Sequence, residues 1–140
     1  MSFLALSTLQ GASLIAGHAT LTKILVSCTL RTYQFLETDA DRKEHIESSH
    51  FVKEFQKAQL NESEYAALLT TLCLYLSTRG DVDAGLGVTL AVVGQIGYVW
   101  SRSLFGYPSY PVATCAMIRF AGLAWLVSGL FTVVGKIPTA

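Results

Sequence analysis

Residues 57–65 read K-A-Q-L-N-E-S-E-Y, directly ahead of the apolar run A-A-L-L-T-T-L-C-L-Y-L. Lys57, Gln59, Asn61, Glu62, Glu64 and Tyr65 thus stand at the border of what reads as hydrocarbon, where an unpaired charge costs several kcal/mol. Lys57, Asn61, Glu64 and Tyr65 fall at i, i+4, i+7 and i+8, one stripe of a helix, whereas Gln59 is turned roughly 200° from Lys57. One stripe cannot gather every group, so a neighbouring helix or a second subunit is needed to complete a site. Arg119 stands about seven residues into a later apolar run, V-A-T-C-A-M-I-R-F. A guanidinium fixed that far into an apolar run is hard to explain without an anionic partner. The competing reading of Arg119 is an ion pair with Glu62 or Glu64 that only joins helices.

The elements that would position these groups are apolar. Of the 140 residues 51% are hydrophobic and 14% charged, the mean hydropathy is +0.44, and soluble chains average about 25% charged. Thirteen of the 20 formal charges lie between Arg31 and Glu64. Net charge is zero and no basic stripe exists, which excludes nucleic acid as a partner. Four apolar stretches give an all-α integral membrane four-helix bundle, a single domain over 1–140. Its spans run over about 3–30, 55–78, 84–104 and 112–134, with a polar loop at 31–54 that reads as loop or short helix between Glu37 and His50. Tyr65–Leu76 is too short to span alone, because a crossing helix needs about 20 residues. That helix must therefore start upstream, as far back as about His50.

Arg31, Arg42, Lys43, Lys53, Lys57 and Arg102 fall on one side of the bilayer and only Arg79 and Lys136 on the other. The positive-inside rule then turns both termini away from the cytosolic or matrix side, in an endoplasmic reticulum or mitochondrial membrane. The start lacks a basic n-region, so the first apolar segment is expected to stay in the membrane rather than be cleaved. Cys28, Cys73 and Cys115 stand singly in apolar runs and read as small buried hydrophobes. His45 and His50 lack a metal-ligand pattern, His18 reads as a cross-helix hydrogen-bonding group, and Lys23 lies near enough to a span end to snorkel. Trp100, Phe105, Tyr107 and Tyr110 form an interfacial aromatic belt.

The layout of four spans, a charged first connection and a polar motif opening the second helix resembles the membrane-associated proteins in eicosanoid and glutathione metabolism. That family includes microsomal glutathione transferases and the leukotriene-forming synthase. Its second helix opens with a pattern like R-x-(Q/H)-x-N-x-x-E plus an aromatic residue, here K-A-Q-L-N-E-S-E-Y. A later A-R-x-x-Y-x-x-x-Y pattern corresponds to S-R-S-L-F-G-Y-P-S-Y-P, and the fourth-helix arginine to A-M-I-R-F. The resemblance implies a homotrimer that binds glutathione as co-substrate between subunits and takes a lipophilic electrophile from the bilayer.

By position it implies catalytic roles for Arg119 and Arg102. It implies glutathione contacts for Arg31, Lys57, Gln59, Asn61, Glu64, Tyr65, Tyr107 and Tyr110, and no metal. Glutathione carries two carboxylates, an ammonium and a thiol. Arg31, Lys57 and Arg102 suit the carboxylates, Glu64 the ammonium, and Gln59 and Asn61 the peptide groups. A second register sets Gln95 and Tyr98, from G-Q-I-G-Y, on the third-helix pattern in place of Arg102. Three departures favour an alternative, a non-catalytic lipid-binding or structural subunit of a larger membrane complex. Lys57 stands for arginine, and lysine cannot copy its bidentate grip. Phe105 stands for tyrosine, and Ala66–Ala67 stand where a proline is common. A small transporter or channel is disfavoured by the lack of broken helices and repeats.

Overall fold

The computed structural model describes residues 5–36, 39–79 and 83–136. Among them the regular structure is all α-helical: α1 (Thr8–Leu36), α2 (Asp39–Ser48), α3 (His50–Ser77), α4 (Gly85–Phe105) and α5 (Tyr110–Val134). Local chemistry sets the boundaries. Ser7 and Gln10 exchange side-chain and backbone hydrogen bonds at 2.9 and 3.1 Å, a capping box that opens α1. Ser49 caps α3 by accepting from the Val52 amide. Pro111 sits at the start of α5, where its missing N–H costs nothing. Gly106 ends α4 with φ +70°, a left-handed conformation suited to glycine.

α3 begins at His50, as the short apolar run required. Within the segment read as polar loop or short helix, α1 continues through Arg31 to Leu36, α2 is a short helix at Asp39–Ser48, and α3 takes the rest. A charged, solvated segment can be helical, and only residues 37–38 fall outside the described chain there. The expected start of the first span near Phe3 also lies partly outside the described residues.

The helices close around Ile15, Leu69, Leu76, Val88 and Leu126, all buried. A second cluster, Val26, Phe55, Ala58 and Val99, joins α1, α3 and α4. α4 and α5 lie closest. A Cβ on Gly94 would stand 2.3 Å from the Arg119 amide nitrogen, and one on Gly122 would stand 2.4 Å from that of Ala91. Backbones so near each other form the small-residue seam common in lipid. Gly17 on α1, by contrast, faces open space.

Among the described residues two helical segments are long and apolar enough to cross a membrane, Thr8–Thr32 and Tyr110–Val134. Only 17% of the apolar window of the first and 22% of that of the second are buried in the chain, so neither is sheathed by protein as the core helix of a soluble domain would be. Leu9, Leu14, Leu21, Met117, Trp125 and Phe131 are exposed along them. Cys73 is buried as expected and Cys115 is half-buried, but Cys28 is exposed on α1, which corrects its reading as a buried hydrophobe.

Candidate functional site

Arg119 projects from α5 into the packed interior and is 2% exposed. Its Nη1 donates to Asn61 Oδ1 on α3 at 2.9 Å and to Gln95 Oε1 on α4 at 3.3 Å. The guanidinium lies 3.9 Å from the Tyr65 ring centroid and 4.4 Å from that of Tyr98, with Phe120 at 5.1 Å. Two phenol rings and two amides thus surround the cation. The ion pair to Glu62 or Glu64 is not made: among the described residues no carboxylate pairs with Arg119. Its Nε and the Gln95 Nε2 are buried and lack hydrogen-bond partners. Because arginine can only donate, the Gln95 carbonyl must face it, and the amide N–H₂ points elsewhere.

A second polar group extends the first toward the end of α4. Arg102 Nη1 donates to the Tyr98 hydroxyl at 2.8 Å, and its Nε donates to Glu54 Oε2 at 3.3 Å. Lys57 Nζ donates to Glu54 Oε1 at 2.6 Å. Tyr107 lies near the same guanidinium, 5.9 Å from ring centroid to Cζ. The residues of both third-helix registers stand close together. Gln95, Tyr98 and Arg102 follow i, i+3, i+7 on one face of α4, and all three belong to the network.

The other expected residues are placed as follows. Asn61 and Tyr65 meet Arg119 directly. Gln59 is buried, but its amide donates to Ser63 on its own helix at 2.6 Å. Glu64 is exposed, lining an open groove with Tyr65 and Leu68. Arg31 is exposed on α1, and Tyr107 and Tyr110 are 69% and 86% exposed at the α4–α5 turn. One chain thus brings Arg119, Asn61, Tyr65 and, through Tyr98, Arg102 together; Arg31, Glu64 and Tyr110 stay on its surface.

Glu54 was not among the expected site residues, although its i, i+3 spacing to Lys57 was a readable signal. The hydrogen bond from Lys57, and after it that from Arg102, hold its carboxyl below the usual carboxylate range against the opposing pull of burial. A depressed folded-state value adds stability that is present above the unfolded value, 4.5, and lost as pH falls through the folded one. Unfolding in detergent should therefore separate wild type from Glu54→Gln at neutral pH, with the gap closing as pH falls below 4.5. A constant gap across that range would assign the difference to shape rather than charge.

His18 bonds across helices as expected. Its Nδ1 meets buried Glu62, whose other oxygen meets Thr22, while Trp100 Nε1 donates to His18 Nε2 at 3.0 Å. Trp100 also stacks on Phe55 at 5.8 Å, beside a cavity of about 190 Å³ lined by Leu25, Val26, Leu30 and Phe51. Trp100 is accordingly a packing residue, whereas Phe105, Tyr107 and Tyr110 are exposed. His50 lies against Gly106, the His45 side chain is outside the described set, and no metal-binding group of His, Cys, Asp and Glu occurs among the described residues.

What this site defines by class is a protein all-helical in its described residues, with an arginine centre enclosed by α3, α4 and α5; among those residues α1 and α5 are long and apolar enough to cross a membrane. The chain matches no protein-family model, no curated protein and no solved structure.

Proposed function

We propose that the chain is an integral membrane protein of four spans, formed by α1, α3, α4 and α5, with both termini away from the cytosolic or matrix side. In this reading it is a membrane-bound glutathione transferase or peroxidase that conjugates or reduces lipophilic electrophiles, working as a homotrimer in an endoplasmic reticulum or mitochondrial membrane. The observation that carries it is Arg119: a buried guanidinium with no carboxylate partner among the described residues and an unused Nε. A cation sequestered from water and left uncompensated is a receptor for an anion, and a thiolate is the anion the resemblance supplies. Arg119 then stabilises the thiolate. Asn61 and Gln95 hold the guanidinium in place, and Tyr65 and Tyr98 flank it. Exposed Arg31, Glu64 and Tyr110 are free to reach a ligand at a subunit boundary.

The alternative, a non-catalytic subunit of this fold in a larger complex, is favoured by one specific observation. The rings of Tyr65 and Tyr98 already cover the guanidinium at 3.9 and 4.4 Å, a cation–π arrangement that stabilises the charge without a ligand. Isothermal titration of glutathione into detergent-purified protein, with native mass spectrometry of the same sample, separates the two. Saturable binding by a homotrimer supports the enzyme. Absence of binding at millimolar glutathione, or a fixed place among different subunits, supports the alternative.

A further inference from the structure

Independently of the reading of Arg119, the group around Glu62 has its own logic. Glu62 and Thr22 are fully buried between α3 and α1. The indole of Trp100 has a hydrogen to give and nothing to accept with, so at 3.0 Å the His18 Nε2 facing it carries no proton. His18 is then the neutral tautomer with its hydrogen on Nδ1, and that hydrogen goes to Glu62 Oε1. An imidazolium here would oppose two donors, so His18 is no counter-ion for Glu62.

Thr22 completes the chain. Its Oγ1 contacts both Glu62 Oε2 and the Ala19 carbonyl, the latter at 3.0 Å, yet it owns one hydrogen. If that hydrogen goes to Ala19, the Glu62 carboxyl must supply the other. The alternative is an ionised carboxylate held by two neutral donors. No cation answers it: Lys23 is exposed in a groove beside Ala19 and Ser63, no ion pair joins it to Glu62 among the described residues, and α4 presents the neutral Trp100. A buried carboxylate without a cation is far more costly than a hydrogen-bonded acid.

We infer that Glu62 is a proton-binding site, the acid link of a one-way chain: Trp100 N–H to His18, His18 Nδ1–H to Glu62, Glu62 O–H to Thr22, and Thr22 O–H to the Ala19 carbonyl. Every donor in that chain has one acceptor. The chain also consumes the only polar hydrogen of Trp100, leaving an apolar wall to the cavity beside Phe55. The bound proton therefore helps to fix that wall, and removing it unsettles the links from Thr22 to the indole.

Infrared spectroscopy of protein labelled with ¹³C at the glutamate carboxyls tests this at pH 7. Expected is an isotope-shifted carbonyl stretch of a protonated carboxyl group, lost in Glu62→Gln and moved in Thr22→Val, which removes the acceptor of the acid hydrogen. Glu62→Gln should keep the wild-type unfolding midpoint, because an amide N–H replaces the O–H toward Thr22. Should that variant fail to fold, the Thr22→Val displacement still assigns the band. Labelled wild type showing only ionised carboxylates overturns the inference, as does an acid band that neither substitution alters.

Discussion

Arg119→Leu is expected to lower turnover of glutathione with an apolar electrophile by about 10²–10³-fold, the scale of losing one preorganised group at a developing anion. Folding should survive. The substitution removes a charge that no carboxylate neutralises among the described residues, and replacing a buried charge by an apolar side chain is often neutral. The remaining cost is the carbonyls of Asn61 and Gln95, which lose their donor, at about 1–3 kcal/mol for each left unsatisfied. Asn61→Ala should behave differently. It leaves the guanidinium in place but frees it from the 2.9 Å bond on α3, so turnover falls less while glutathione binding weakens. Equal loss of stability in both variants, with no separate effect on turnover, would reduce Arg119 to a link between helices.

The second large effect lies in the α4–α5 seam. In Gly94→Ala the new Cβ would stand 2.3 Å from the Arg119 nitrogen and 2.6 Å from its Cα, both backbone atoms that cannot swing aside. The helices must part, at about 1–3 kcal/mol, the usual range for overpacking. Because the displaced residue is Arg119 itself, turnover should fall with stability. Gly122→Ala meets Ala91 at 2.4 Å and should destabilise similarly. Gly17→Ala is the control: nothing lies within 4 Å, and the gain over glycine in a helix is roughly 0.5–1 kcal/mol. Unfolding in detergent followed by circular dichroism ranks the three, and a harmless Gly94→Ala would refute the close approach.

Particular residues show what could be read from the chain alone. The upstream start of α3 was legible because twelve apolar residues cannot cross a bilayer, and His18 was legible as a cross-helix group because an imidazole among apolar neighbours needs a partner. The partner of Arg119 was not. Glu62 and Asn61 are adjacent, turned about 100° apart on one helix, and only the rotation of α3 decides which faces α5. In the fold Asn61 faces Arg119 and Glu62 faces α1, so a carboxylate that looked available is taken up by His18 and Thr22. The choice between Arg102 and Gln95 with Tyr98 could not be settled along the sequence for a similar reason. All three share a face of α4, and which of them meets Arg119 depends on how α4 meets α5 at Gly94. Helicity in the connection was hidden by charge, since the polar residues of α2 read equally well as solvated loop.

The central claim is that Arg119 holds a bound thiol in its anionic form. Thiolate absorbance of glutathione titrated against pH in the presence of the purified protein addresses it most directly. In wild type the bound thiol should ionise at least about one unit below the ordinary value of about 8.5, and in folded Arg119→Leu it should return to that value. A titration identical to that of free glutathione in wild type, or one unchanged by the substitution, would contradict the claim.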